Sequence, residues 1–375
     1  MKTEFLGSIP PHKSDEISLF VGEGLIEDAR IIADVLLERR RSHHIMISDR
    51  RVFRLHGLQL LSRLQSFGLE VAVFLVHSGE NSKSFESYRN LVDRILKTGI
   101  DQSSCVITLG GGVVNNLGGF VAATLYRGLT LIHLPTSLLA QVDAAIDRKQ
   151  AVNHPLGKNL IGSFYSPNAV FIDPNLLQTL AIRHLRNGMA EVIKHALTQS
   201  SSFYNFLMDN AHQLRDPAFL KTVIRKTIRL KLALMKSARN HHDGEFIMQY
   251  GHCVGHALER ASNYALSHGE AIAIGMSVSA EVSLAKGVGD PGLIEGHNLI
   301  LKKYKLPTIV PKTVHIEKVL QLVKHDKGIL RQTPRLCVLR GIGQVYQTRT
   351  GCVSYVSWPI LRRSLEQNMN RWSRS

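Results

Sequence analysis

Cysteine is scarce in this chain: four stand among 375 residues, Cys105, Cys253, Cys337 and Cys352, and no two form a C-x-x-C pair. This excludes a disulfide-stapled scaffold and a cysteine-built zinc site, and the four read as reduced thiols of a cytoplasmic protein. Long apolar runs are also missing. No stretch reaches the ~18 residues that a membrane span needs, so no membrane partner is expected. The opening MKTEFLGSIPPHKSDE has neither an apolar core nor a small-residue cleavage site and is not read as a secretory signal. Acidic residues are in deficit, 30 against 46 Lys and Arg, which leaves a net charge of +16. Such a charge would suit nucleic acid, but the basic residues are scattered over 39–41, 50–51, 221–239 and 362–363 with only 6% aromatics and no recognition motif. Nucleic acid is therefore not an expected partner; a small phosphorylated substrate, or simply a basic surface, accounts for the charge better.

What is present is an alternation of strand and helix. SLFVGEG, HHIMISDRRVF and LEVAVFLVHSGE read as strands, with IEDARIIADVLLERRR, HGLQLLSRLQSFG and SKSFESYRNLVDRILKTG as helices around them. That βαβ rhythm implies a parallel sheet covered by helices, with ligands at the carboxyl ends of the strands. CVITL then runs into Gly110, Gly111 and Gly112 and a helix of small residues. Glycines at such a turn let backbone N–H groups approach a pyrophosphate at a helix N-terminus. The G-x-G-x-x-G fingerprint is absent, so a plain tight turn stays open as the alternative. LTLIHL repeats the theme, with Pro135, Thr136 and Ser137 opening a helix.

The stretch 143–159, DAAIDRKQAVNHPLGKN, is polar with small apolar interruptions, and its composition reads as a solvated surface loop. Lys149, Lys158 and Asn159 could nonetheless reach one anionic group. Near residue 175 the character changes to helical periodicity up to about 330. We expect an α/β domain over 1–174 and an α-helical domain over 175–375, closed by one or two strands around RLCVLRGIGQVYQTR and a loosely ordered basic tail. In the second domain Glu191 and Lys194 stand three apart with His195 beside them, a spacing usual for a solvated ion pair. GHCVGHALERASNYALSHGE holds His252 and His256 four apart, on one helix face, and His268 at the start of the next helix. With one carboxylate from elsewhere these histidines suit a metal, although Cys253 replaces the glutamate of H-E-x-x-H. Spacing alone equally admits two surface histidines and a capping one.

Together these pieces resemble the sugar phosphate cyclase superfamily, which has the 3-dehydroquinate synthase-like fold. The resemblance runs from about residue 15 to 350 and rests on GENSK (79–83), GGGVVNN (110–116), LYRG (125–128), LPTSLLAQVD (134–143), KQAVNHPLGKNLIGSFY (149–165), GMAEVIKHA (188–196), GHCVGHALE (251–259) and HGEAIAIGM (268–276). It implies a Rossmann-like N-terminal domain that binds NAD, an all-α C-terminal domain, and Zn²⁺ or Co²⁺ between them. It puts the metal on Glu191, His252 and His268. It puts the cofactor on Asp49, Glu80, Lys83, Gly111, Gly112, Val113, Asn116, Thr136 and Ser137, with Asp143, Lys149 and Lys158 adjoining. Substrate contacts fall on Asp143, Lys149, Lys158, Asn159, Lys194, His256, His268 and Lys327, and catalytic roles on Lys149, Glu191, Lys194 and His256. Arg127 matches a phosphate-contacting arginine that reaches in from a neighbouring subunit, which implies a homodimer.

Departures from the family's dehydroquinate branch bear on the substrate. That branch carries an arginine seven residues before the first metal histidine, facing the substrate carboxylate, and an asparagine three before it. Here these positions are Glu245 and Gln249, and a glutamate would repel a carboxylate. KQAVN, Asn116 and IMISD instead resemble the 2-deoxy-scyllo-inosose synthase branch, which acts on D-glucose 6-phosphate; HPLGKN is equally dehydroquinate-like, and Asp147-Arg148 matches neither. The expectation is therefore a 2-deoxy-scyllo-inosose synthase of aminoglycoside antibiotic biosynthesis, a phosphate-eliminating lyase, with 3-dehydroquinate synthase as the alternative, an open-chain heptulose phosphate cyclase behind it, and a non-catalytic binding relative from a different class.

Overall fold

The computed structural model describes residues 17–38, 43–155, 157–241, 243–326, 329–348 and 351–373. The chain divides into two compact units: one holds residues up to Thr136 together with Ala144–Asp173, the other Ser137–Asp143 together with Pro174–Ser375.

The first unit is built on a six-stranded parallel sheet of β1 (Ser18–Val21), β2 (His44–Asp49), β3 (Val71–Val76), β4 (Cys105–Gly110), β5 (Thr130–Pro135) and β8 (Ala169–Ile172), in the order β1-β8-β5-β4-β2-β3. Strands β2 and β4 are buried at every residue, which is why HIMISD and CVITLG read as unbroken runs and not as alternating ones. Helices α1 (Arg30–Leu37), α2 (Leu58–Ser66), α3 (Phe85–Leu96) and α4 (Gly112–Thr124) make the crossovers. Helix α4 lies hard against its neighbours: a Cβ on Gly118 would come within 2.4 Å of the Thr108 methyl group, and one on Gly119 within 2.0 Å of Gln150. Small residues there permit a contact that no larger side chain would.

The polar stretch after residue 143 departs from the loop expected of it. It forms an antiparallel ribbon of β6 (Lys149–His154) and β7 (Gly157–Phe164), with Lys149 opposite Phe164. Ladder bonds satisfy the backbone, and Val152, fully buried, joins the core between α3 and α4. Ala145, Ile146, Ala151 and Val152, apolar interruptions of the polar pattern, are buried, and Gln150 is buried with them.

The second unit is helical, with α5 (Leu138–Val142), α6 (Ile182–Gln199), α7 (Pro217–His241), α8 (Asp243–Met248), α9 (His252–Ala261), α10 (His268–Ala285), α11 (Ile316–Val323) and α12 (Trp358–Met369). It is not purely so: β9 (Ile329–Leu330), β10 (Thr333–Cys337) and β13 (Val353–Tyr355) form a small antiparallel sheet, and β11 (Leu339–Gly341) pairs with β12 (Gln344–Val345). Residues 361–369 of the tail expected to be loose belong to helix α12, because Leu361 and Leu365 pack into the core with Val278, Val282 and Val310. Asn368 Oδ1 accepts from Val310 N at 2.9 Å and ties that helix down further. A boundary placed at residue 174 from sequence leaves out the short α5, which packs on α6 where Gly188 admits Leu138. Among the described residues no helix is long and apolar enough to cross a membrane.

Candidate metal and substrate site

In the helical unit the three-residue spacing of Glu191 and Lys194 puts both on one face of α6. The pair is not solvated: the Glu191 side chain is wholly buried, Lys194 is 2% exposed, and Lys194 Nζ donates to Glu191 Oε2. Burial would raise the Glu191 pKa, but the charge of Lys194 and then His252 hold it well below the usual carboxylate range. The carboxylate is therefore ionised at neutral pH.

Its other oxygen, Oε1, is buried with no hydrogen-bond partner. His252 Nε2 stands 3.3 Å from it and His268 Nε2 3.5 Å from it. His252 Nδ1 lies 3.1 Å from the Tyr250 carbonyl oxygen, so that nitrogen carries the proton and Nε2 keeps its lone pair toward Glu191. Burial lowers the His252 pKa to about 4, against the pull of Glu191. For His268 burial also acts downward, but its contacts with the Glu191 and Glu259 carboxylates raise it to about 10. One ligand atom from each of Glu191, His252 and His268 lies within 4.8 Å of the others. A carboxylate and two imidazoles around an unpaired buried oxygen are a donor set that fits Zn²⁺ or Co²⁺.

The register of the two histidine-bearing helices comes from glycine. A Cβ on Gly275 of α10 would sit 2.1 Å from the carbonyl oxygen of Gly251, at the start of α9. Gly251 itself has φ 78°, which favours glycine. The backbones meet here, which places His252 and His268 with ring centroids 5.6 Å apart.

His256, one turn beyond His252, turns to Asp326, with Nδ1 3.5 Å from Oδ2. Glu245 and Gln249 line a pocket of about 230 Å³ with Phe246, Cys253, Asp326 and Arg335. Asp143 receives the buried Lys231; burial would raise the aspartate pKa, but the charges of Lys231 and Lys194 and the Lys231 hydrogen bond together depress it. Lys327 lies outside the described residues.

In the α/β unit, Asp49 ends β2, Gly111 and Gly112 follow β4, and Thr136 follows β5, so all stand at the carboxyl ends of adjacent parallel strands. Asp49 also caps the next helix, with Oδ1 accepting from Arg51 N at 2.9 Å, Val52 N at 3.0 Å and Ser78 Oγ at 2.8 Å. Gly111 is the N-cap of α4, with Gly112 and Val113 in its first turn. Ser137 caps α5 by accepting from Ala140 N. Lys83 Nζ donates to Asn116 Oδ1 at 2.8 Å and to Asn159 Oδ1. Glu80 Oε1 accepts from Asn153 Nδ2 at 2.8 Å and stands 4.0 Å from Lys158 Nζ, so the polar residues of the ribbon and of 80–83 make one network. Lys149 pairs with Asp147 at 3.2 Å. Arg127 is exposed and has φ 63°, after Tyr126 at φ 48°.

Sequence reasoning missed Lys231, Asp326, Glu259 and the Tyr250 carbonyl. Two left a usable signal. Lys231 continues the buried stripe of α7 after Val223, Ile224, Thr227 and Ile228, where a charge needs a partner. Glu259 follows His252 by seven, two turns along the same face of α9.

Known proteins give the chain its class. Models of the 3-dehydroquinate synthase N-terminal and C-terminal regions match residues 73–187 and 188–329. A 3-dehydroquinate synthase from Synechocystis sp. is 37% identical over 321 residues, covering 84% of this chain and 89% of its own length. A crystal structure of 2-deoxy-scyllo-inosose synthase complexed with carbaglucose-6-phosphate, NAD⁺ and Co²⁺ is 26% identical with a TM-score of 0.84, over 94% of this chain and 96% of that one. The 2-epi-5-epi-valiolone synthase of Streptomyces hygroscopicus, 24% identical with a TM-score of 0.86 over 97% and 100% of the two chains, shares the fold. Fold and matches together define a sugar phosphate cyclase. The chain belongs to the 3-dehydroquinate synthase family.

Proposed function

We propose that this cyclase converts D-glucose 6-phosphate to 2-deoxy-scyllo-inosose and inorganic phosphate, using NAD⁺ and Zn²⁺ or Co²⁺. The observation that carries the substrate choice is the wall of the pocket beside α9. Glu245, Gln249, Asp326 and Arg335 line it; the two carboxylates outnumber the one guanidinium, a balance that disfavours a carboxylate on the substrate, which a glucose phosphate lacks. The complex of the 2-deoxy-scyllo-inosose synthase neighbour with carbaglucose-6-phosphate, NAD⁺ and Co²⁺ supports the same choice.

Glu191, His252 and His268 are the proposed holders of the metal. When bound, such an ion polarises substrate hydroxyls and eases their ionisation near neutral pH. Asp49, Glu80, Lys83, Gly111, Gly112, Val113, Asn116, Thr136 and Ser137 are the proposed holders of NAD⁺, which when bound supplies the acceptor and later the donor of one hydride. Lys194 keeps Glu191 ionised through its hydrogen bond to Oε2. Lys149, Lys158 and Asn159 supply cationic and amide donors for a phosphate, and His256 is a proton carrier braced by Asp326. Arg127 is assigned to the phosphate of a substrate held by a second copy, so the working form is a homodimer.

A second reading, 3-dehydroquinate synthase, is favoured by the 33–37% identity to relatives of that name. One assay separates the two. With NAD⁺ and Co²⁺ or Zn²⁺ present, D-glucose 6-phosphate is expected to release inorganic phosphate. Release from 3-deoxy-D-arabino-heptulosonate 7-phosphate alone overturns the first reading in favour of the second. Purified protein that neither contains nor responds to either metal, and turns over neither substrate, points to a binding protein.

A further inference from the structure

Among the described residues two groups of three side chains satisfy the spacing of a metal site: Glu191, His252 and His268, and, sharing the last histidine, His256, Glu259 and His268. The geometry points to a single metal site, with Glu259 as a positioning residue that commits His268 to the first group; this rests on the metal reading of Glu191, His252 and His268. Glu259 Oε2 lies 3.3 Å from His268 Nδ1, and its side chain is 5% exposed. As a metal ligand an imidazole is neutral, with one N–H and one lone pair. With Nδ1–H donated to Glu259, the lone pair is left on Nε2, the nitrogen 3.5 Å from Glu191 Oε1.

The second group would need the opposite arrangement. A metal among His256, Glu259 and His268 takes the lone pair of His268 Nδ1 and a Glu259 oxygen, the two atoms that now face each other. It would also draw on His256, whose Nδ1 faces Asp326 at 3.5 Å. The close approach of α9 and α10 at Gly251 and Gly275 fixes the helix positions but not the rotation of the His268 ring. Glu259 supplies that orientation, as outer carboxylates do for ligating histidines.

The test uses the full chain and reads metal binding, not turnover. Zn²⁺ content is measured after dialysis, Zn²⁺ affinity by chelator competition, and the Co²⁺ absorption spectrum in the same proteins. Wild type is expected to bind one ion per chain. Glu259→Gln keeps an acceptor of the same shape and is expected to weaken binding about tenfold, and Glu259→Ala up to about 100-fold with an altered Co²⁺ spectrum. His256→Ala is expected to keep wild-type metal affinity. Two ions per chain in wild type, one of them lost in Glu259→Ala, overturns the proposal. So does wild-type affinity and spectrum in both Glu259 variants while Glu191→Ala loses the metal, a result that leaves the metal reading standing. If Glu191→Ala itself retains the ion, the metal reading fails and the proposal with it.

Discussion

Lys231 Nζ stands 2.7 Å from Asp143 Oδ1 and 2.8 Å from its carbonyl oxygen, with 2% of the lysine side chain exposed. Eighty-eight residues separate the two, and the bond fastens the end of α5 to the middle of α7. Removing the aspartate leaves a buried ammonium without its counter-ion.

Asp143→Ala is therefore expected to cost about 3 kcal/mol, the low end for a broken buried pair because Asp143 is itself 28% exposed. Chemical unfolding of the helical unit checks it. Loss below about 0.5 kcal/mol would show that the lysine finds another partner.

Gly275→Ala inserts a methyl group where 2.1 Å separates its Cβ from the Gly251 carbonyl oxygen. The helices α9 and α10 must part, at a cost of about 1–3 kcal/mol. Because those helices carry His252 and His268, Zn²⁺ affinity is expected to fall together with the melting temperature. A variant that loses stability but keeps affinity would show that the histidines do not depend on this contact.

His297 is fully buried, with Nδ1–H donating to the Leu293 carbonyl at 2.7 Å and Nε2 accepting from Tyr250 OH at 2.8 Å. Burial lowers its pKa to about 4, against 6.5 for an unperturbed imidazole. The unfolded chain takes up the proton first, so stability is complete above pH 6.5 and is lost as pH falls toward 4. At about 1.4 kcal/mol per unit the loss approaches ~3 kcal/mol at pH 4. Unfolding midpoints measured over that window should fall less steeply in His297→Gln than in wild type. An unchanged slope would assign the acid sensitivity elsewhere.

Glu245→Arg exchanges a repelling carboxylate for a guanidinium in the pocket beside α9. Under the proposed function it is expected to tighten binding of 3-deoxy-D-arabino-heptulosonate 7-phosphate roughly tenfold while slowing turnover of D-glucose 6-phosphate. Competition between the two sugars in a phosphate-release assay reads both effects. No gain for the carboxylate substrate would remove Glu245 from substrate choice.

The strand–helix alternation, the glycine turn after β4 and the identity of the metal-binding candidates were all legible in the chain. The first two are local patterns, continuous apolar runs and period-3.6 helices, whereas the metal candidates came from the family resemblance, since histidines four apart equally admitted a surface reading. The ribbon at 149–164 was not, because polar strands hold together by ladder bonds that composition does not reveal. The tail helix was missed for a related reason, its few apolar residues gaining their meaning only from the core they meet.

For the site the division is similar. Residue type and order, through the family resemblance, supplied one carboxylate and two imidazoles as candidates for a metal, glycines as candidates for a phosphate, and a glutamate where the family's carboxylate clamp has an arginine. Tertiary structure alone decided that Glu191 is buried with one oxygen unpaired, that Lys231 answers Asp143, and that Glu259 and not a solvent molecule meets His268. Spacing along a helix shows which side chains share a face. Which nitrogen keeps its lone pair depends on partners from another helix, and only packing supplies those.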